Sequence, residues 1–291
     1  MTRLVKMGSG RSACYQIPCR PLPGELRVNF LLECIGFPPD AEEETIVRRV
    51  IDEGESVPWR GPEGEHYRLT IAEGLELRVD REEGARHWSI LPWYQEQARL
   101  RVSLRNLVHV PDSPFDILLV GWADPPIRAL GEDLAREGAY LFSTYLTDAR
   151  RLPQRLPAGH VLAVSISGFA LDVSYLGPND GVQDASILER ESGAWIQPLG
   201  GAGSPGGCNE LSVRIQEVRH IRNPLTGRDV DILRVDAPSR PLHLFVSPWD
   251  LEQAGLPRPR PGDRIEGVFF FNGRISGGLP TRRRPAKGPF G

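Results

Sequence analysis

The residues with the clearest capacity for chemistry are arginines. Arg214, Arg219, Arg222, Arg228 and Arg234 recur along two strand-like stretches, and Arg282, Arg283, Arg284 and Lys287 follow near the C-terminus. Guanidinium groups neutralise phosphates, so such a series beside exposed aromatics would suit a single-stranded nucleic acid. The candidate contacts for nucleic acid or a partner are Arg214, Arg219, Arg222, Arg234, Arg282, Arg283 and Arg284. The acids Glu217, Asp229 and Asp231 interrupt the patch, and a solvated barrel face is the plainer reading of it. A second group is aromatic. His87-Trp88-Ser89-Ile90-Leu91-Pro92-Trp93-Tyr94 joins large apolar rings to polar handles, and Trp122 stands mid-strand beside Gly121. Trp88, Trp93 and Trp122 are the candidate pocket aromatics, with core packing as the default reading of each.

Other chemistries fail on spacing. Gly201-x-Gly203-x-x-Gly206 fits a dinucleotide fingerprint in form, but Pro205 sits inside it and a strand pattern follows, so no helix N-terminus faces a pyrophosphate. Gly8-Ser9-Gly10-Arg11-Ser12 lacks the spacing of a phosphate-binding loop. Asp116 and Asp124 flank an apolar strand, and eight extended residues hold them roughly 26 Å apart, too far for paired carboxylates. The histidines, His66, His87, His109, His160, His220 and His243, never stand at metal-ligand spacing, and Cys14-x4-Cys19 has no second ligand pair. No serine sits in a Gly-x-Ser-x-Gly elbow. These patterns lead us to expect no catalytic residue, no cofactor and no metal.

The elements that must position these residues are short and β-rich. Gly 31 and Pro 27 among 291 residues favour many turns over long helices, and the length favours two domains. Leu26, Val28, Phe30 and Leu32 alternate as a strand would. Asp40 then caps a helix near 40–53 whose first turn is acidic and whose apolar face is Ile46, Val47, Val50 and Ile51. Strands are expected at Tyr67–Ile71, Leu75–Val79, Leu100–Val110, Phe115–Trp122, Ala139–Leu146 and Val161–Val173.

Leu199–Gly207, reading LGGAGSPGG, marks a boundary before a compositionally distinct unit. In that unit Leu211, Val213 and Ile215 alternate and then slip phase to Val218 and Ile221, as a bulged long strand would. Strands at Val230–Val235 and Leu242–Val246 precede a helix capped by Ser247, with Pro248 at its first position and Gly255 at its end. Ile265–Phe271, a hairpin at Asn272-Gly273 and a last strand Arg274–Ser276 complete a β-β-β-α-β-β order.

That order gives the expected fold class: mainly β (α+β), with a β-rich mixed N-terminal domain followed by an OB-like five-stranded Greek-key barrel. The domains are an irregular arm over 1–24, the mixed domain over 25–205, the barrel over 206–279 and a basic, disordered tail over 280–291. From Cys208 onward the chain carries 14 Lys or Arg against 9 Asp or Glu, so this part is positive although the whole is at -3. No apolar run approaches the length of a membrane span and no signal-like segment opens the chain, so no membrane partner and a cytoplasmic location are expected.

Several landmarks also carry a resemblance. Gly74-Leu75-Glu76-Leu77, Pro114-Phe115-Asp116, Gly121-Trp122-Ala123-Asp124-Pro125 and Gly267-Val268-Phe269-Phe270-Phe271-Asn272-Gly273-Arg274 together resemble a group of uncharacterised bacterial proteins ending in a Gly-x-Phe-Trp-Leu-x-Gly-Arg-like strand. Phe270 and Phe271 stand here in place of the Trp-Leu pair. The resemblance covers about residues 70–275 and implies bacterial origin and a shared architecture, with no activity to carry over. The leading expectation is a non-enzymatic binding or protein-interaction module, with a protein as the favoured partner. Two readings stand beside it: a single-stranded nucleic-acid binder using the barrel and basic tail, and an enzyme whose site assembles from distant residues.

Overall fold

A computed structural model describes residues 30–57, 64–95, 99–110, 116–127, 137–147, 152, 156–177, 193–201 and 206–277. The expected N-terminal arm and the basic tail with Arg282, Arg283 and Arg284 lie outside these residues. The chain is β-rich, with two sheets and three short helices among the described residues.

The first described element is a helical turn, α1 (Phe30–Glu33), where alternation had pointed to a strand. Leu31 falls in the polar phase of that alternation and is nonetheless 0% exposed; Leu32, Cys34 and Ile35 are buried with it. A short run apolar at every position carries no period, so helix and strand read alike in it. The helix α2 (Glu43–Glu53) follows, with Ile46, Val47 and Val50 buried, and its N-cap position is Glu42 rather than Asp40.

The smaller sheet is an antiparallel meander of β1 (Glu55–Ser56), β2 (Glu65–Ala72), β3 (Leu75–Arg81) and β4 (Ser89–Tyr94). Leu75, Leu77 and Val79 form its apolar face, while Glu76, Arg78 and Asp80 on the opposite face are buried as well. Both faces of β3 are therefore covered.

The larger, mixed sheet has nine strands. Its first four in chain order are β5 (Leu100–His109), β6 (Ile117–Ala123), β7 (Tyr140–Leu146) and the long β8 (Val161–Gly177). The edge strand β9 (Trp195–Pro198), β10 (Cys208–Arg222), β11 (Asp229–Asp236), β12 (Leu242–Phe245) and β13 (Arg264–Gly277) complete it. The order is β11-β12-β8-β5-β6-β7-β13-β10-β9, with β10–β11 and β8–β13 paired in addition.

Those two extra pairings join strands that are not neighbours in that order. β10, β11, β12, β8 and β13 make one circuit of hydrogen-bonded neighbours. β5, β6, β7, β13 and β8 make another. Each circuit is an antiparallel three-stranded meander whose third strand pairs in parallel with a long strand: β12 with β8, and β7 with β13. The strands β8 and β13 belong to both. One sheet thus runs across the boundary expected near residue 205.

The hairpin expected at Asn272-Gly273 is absent, and β13 runs through it without a turn. A two-residue type I′ turn needs φ > 0 at both central residues, and neither Asn272 nor Gly273 has it. Instead Asn272 donates from Nδ2 to the Pro92 carbonyl (2.8 Å) and so ties β13 to β4. A Cβ on Gly273 would lie 2.4 Å from the Ser165 carbonyl oxygen, so glycine serves close strand approach here. The fifth strand of the C-terminal circuit comes from β8, upstream of β10, rather than from residues 274–276.

The slip expected in β10 is present as a register shift against β11 between Ile215 and Glu217. The helix α3 (Pro248–Ala254) has its expected caps: Ser247 accepts from the Asp250 N–H, Pro248 opens the first turn, and Gly255 ends it in the left-handed region.

Candidate functional site

A cleft of about 530 Å³ opens between the β2–β3 turn, the end of β4 and the outer face of β10, β11 and β12. That volume lies within the range of small-ligand sites. Strand register builds it in rows. Glu217 opposes Arg234, which opposes His243; two residues along, Arg219 opposes Ile232, which opposes Phe245. Side chains two apart on a strand share a face, so both rows look the same way. The intervening Leu233, Val235 and Leu244 turn to the other side and are buried there.

Tyr94 closes the floor. Its ring packs on His243 (5.2 Å between centroids) and edge-on against Phe245 (5.3 Å), which in turn stacks on Phe169 (4.9 Å). Gly74, at φ +77 in the β2–β3 turn, admits this ring: a Cβ there would lie 3.1 Å from Tyr94 Cε2. Arg219 donates from Nη2 to the Tyr94 hydroxyl (2.8 Å) and faces the Glu73 carboxylate at 3.8 Å. Arg234 faces Glu217 at 3.8 Å.

Burial lowers the pKa of His243, which keeps its imidazole neutral near pH 7. Burial raises that of Tyr94, with Arg219 opposing the shift and Glu73 adding to it, so the phenol stays protonated. Among the described lining residues two carboxylates balance two guanidiniums.

Of the residues singled out by sequence, the structure brings Arg219 and Arg234 together here. Arg214 is exposed on β10 and donates to the Gly262 carbonyl (3.2 Å), and Arg222 is exposed at the far end of the same strand. The three tryptophans do not converge. Trp88 lies half-buried beneath the Arg81 guanidinium (4.6 Å from the ring centre). Trp93 is buried under Arg274 (4.1 Å), and Trp122 is half-buried in β6 between Ser103 and Leu141. Trp93 and Tyr94 are neighbours in the same aromatic run, but strand alternation sends them to opposite faces. Tyr94 belongs to the aromatic run weighed as a pocket lining and His243 to the histidines weighed as metal ligands, but neither was chosen as a candidate residue, and Glu73 was read only as part of a turn. The shared parity of Glu217, Arg219, Ile232 and Arg234 was a signal for the strand face, and Ala72-Glu73-Gly74 marked the β2–β3 hairpin, whereas nothing local announces that this hairpin lies over that face.

Two further polar clusters are buried. On the smaller sheet, His66 Nδ1 lies 2.9 Å from Asp80 Oδ1, Arg78 Nη2 lies 3.8 Å from Asp80 Oδ2, and Arg78 donates from Nη1 to the Thr147 hydroxyl just beyond β7 (2.6 Å). At the other, Glu33 of α1 is 3% exposed and accepts from the Ser247 hydroxyl (3.3 Å). Burial first, and then the nearby Asp250 carboxylate, push the Glu33 carboxyl up to about 7. Burial likewise raises Asp250. Among the described residues no three His, Cys, Asp or Glu gather as metal ligands would. No described helix is long and apolar enough to cross a membrane.

Comparisons with protein-family models, with curated proteins and with solved structures find no match for this chain.

Proposed function

We propose that this chain is a non-enzymatic binding module that seats a segment of a partner protein in the cleft over β10, β11 and β12. The observation that carries the reading is the cleft itself: an aromatic floor of Tyr94 and His243 flanked by two half-exposed arginines. Among the described residues its lining contains no serine, threonine or cysteine. The circuit of β10, β11, β12, β8 and β13, with its parallel third-strand pairing, supports an OB-like barrel whose fifth strand is borrowed from upstream. In such barrels the outer face of the second and third strands is the usual ligand face, and here β11 and β12 occupy those places.

The same observation favours one second reading, a single-stranded nucleic-acid binder. The test separates the two. A photo-reactive phenylalanine analogue at Gln95, on the rim of the cleft, is expected to cross-link a protein partner in cells, while the same group at exposed Arg48 on α2 does not. Labelled single-stranded DNA and RNA are expected to show no salt-sensitive anisotropy change with the full chain. Salt-dependent binding that weakens when Arg219 and Arg234, or Arg282, Arg283 and Arg284, become alanine would transfer the site to nucleic acid.

A further inference from the structure

Arginine side chains offer five N–H donors in a planar fork, and a folded protein normally consumes several of them. Arg234 stands out because its Glu217 contact, at 3.8 Å, is too long for a hydrogen bond. The side chain is 47% exposed and its carboxylate neighbour 61%. Arg219 spends one donor on the Tyr94 hydroxyl, which anchors the guanidinium, while its contact to Glu73 is again 3.8 Å, with the Glu73 side chain 90% exposed. Register places the two arginines diagonally on adjacent strands of one face, at about 7–8 Å, within reach of a single small anion.

We infer that the cleft recognises a carboxylate side chain of an extended partner peptide, which the forks of Arg234 and Arg219 grip by displacing a rim glutamate. This rests on the binding reading above and names its ligand class. The chemistry of the rim selects carboxylate over phosphate. Each guanidinium is already loosely apposed to one carboxylate, so an incoming carboxylate exchanges one for one and improves on a 3.8 Å contact with true hydrogen bonds. A phosphate would bring up to two negative charges into a cleft that keeps Glu73 and Glu217 at its edge and has no net positive field to offset them. Glu217 is thereby a competitor as well as a neighbour. Removing its charge should tighten binding, an effect that a purely structural ion pair would not produce.

The probe is a fluorescein-labelled octapeptide of alternating glycine and glutamate, titrated into the full chain, with Gly-Ser and phosphoserine-containing octapeptides as comparators. The Gly-Glu peptide is expected to bind best. Arg234→Ala weakens it about tenfold or more, the effect of losing a charge-assisted bond, and Arg234→Lys recovers only part of the loss. Glu217→Gln strengthens it several-fold, and Arg222→Ala, outside the cleft, leaves it unchanged. Thermal melts of each variant establish that it is folded. No binding of the Gly-Glu peptide, tighter binding of the phosphoserine peptide, equal loss in Arg222→Ala, or no gain in Glu217→Gln would each overturn the inference. A cross-link at Gln95 without Gly-Glu preference would leave the binding module standing and remove only its carboxylate specificity.

Discussion

Arg78 and Arg234 put the same side chain to opposite uses. Arg78 is 1% exposed on a face of the smaller sheet, where it meets Thr147 and Asp80 and joins β3 to the residue after β7. Arg234 stands on the open face of β11 and, among the described residues, makes a long contact with an exposed carboxylate and no hydrogen bond. The first guanidinium is committed to the fold; the second is left for a ligand. Charge in the sequence does not distinguish them, whereas the second layer of structure over Arg78 does.

The comparison breaks most sharply at its buried side. Arg78→Ala should cost on the order of 3–5 kcal/mol, because it strips Asp80 of a charged neighbour inside the protein, and urea denaturation would show a lowered midpoint. A midpoint shift as small as that of an exposed substitution would mean that Arg78 holds nothing together.

The carboxyl of Glu33 sharpens the contrast from the acidic side. Its folded-state pKa of about 7 lies above its ordinary value of 4.5, so the folded chain holds an extra proton between those pH values. Stability from this group is therefore full below about 4.5 and declines as pH rises toward 7, with a slope of up to about 1.4 kcal/mol per pH unit. Asp250 acts in the same direction. Glu33→Gln should flatten the decline in melts taken from pH 4.5 to 7.5, and an unchanged slope would dismiss the carboxyl as its source.

The smallest expected effect is the most telling for the cleft. Arg234→Ala should move stability by no more than about 0.5 kcal/mol, since the guanidinium contributes no hydrogen bond to the fold. A loss of several kcal/mol would reclassify Arg234 with Arg78.

Local pattern carried much of the fold. The alternation in β2, β3, β5, β10 and β11, the phase slip at Ile215, and the Ser247-Pro248 and Gly255 caps are all properties of neighbouring residues, and each is legible as such. The parallel pairings β12–β8 and β7–β13 join segments far apart in sequence and leave no local trace. Asn272-Gly273 misled because the dipeptide serves strand packing as readily as a turn, and only its neighbours Pro92 and Ser165 decide which. For the cleft, the arginines were visible as a series, but picking Arg219 and Arg234 from it required Tyr94 and the turn at Gly74, brought there by tertiary folding alone.

The sharing of β8 and β13 bears on the order in which the chain can be completed. A ribosome delivers β5, β6, β7 and β8 first, yet β7 has no partner on its far side until β13 arrives as the last strand of the sheet. Nascent chains ending before residue 264 would carry that open edge, a template for mispairing with other chains. Neither circuit can close alone, so a C-terminal truncation into β13 should cost the distant N-terminal meander its closure as well as the strand's own neighbours.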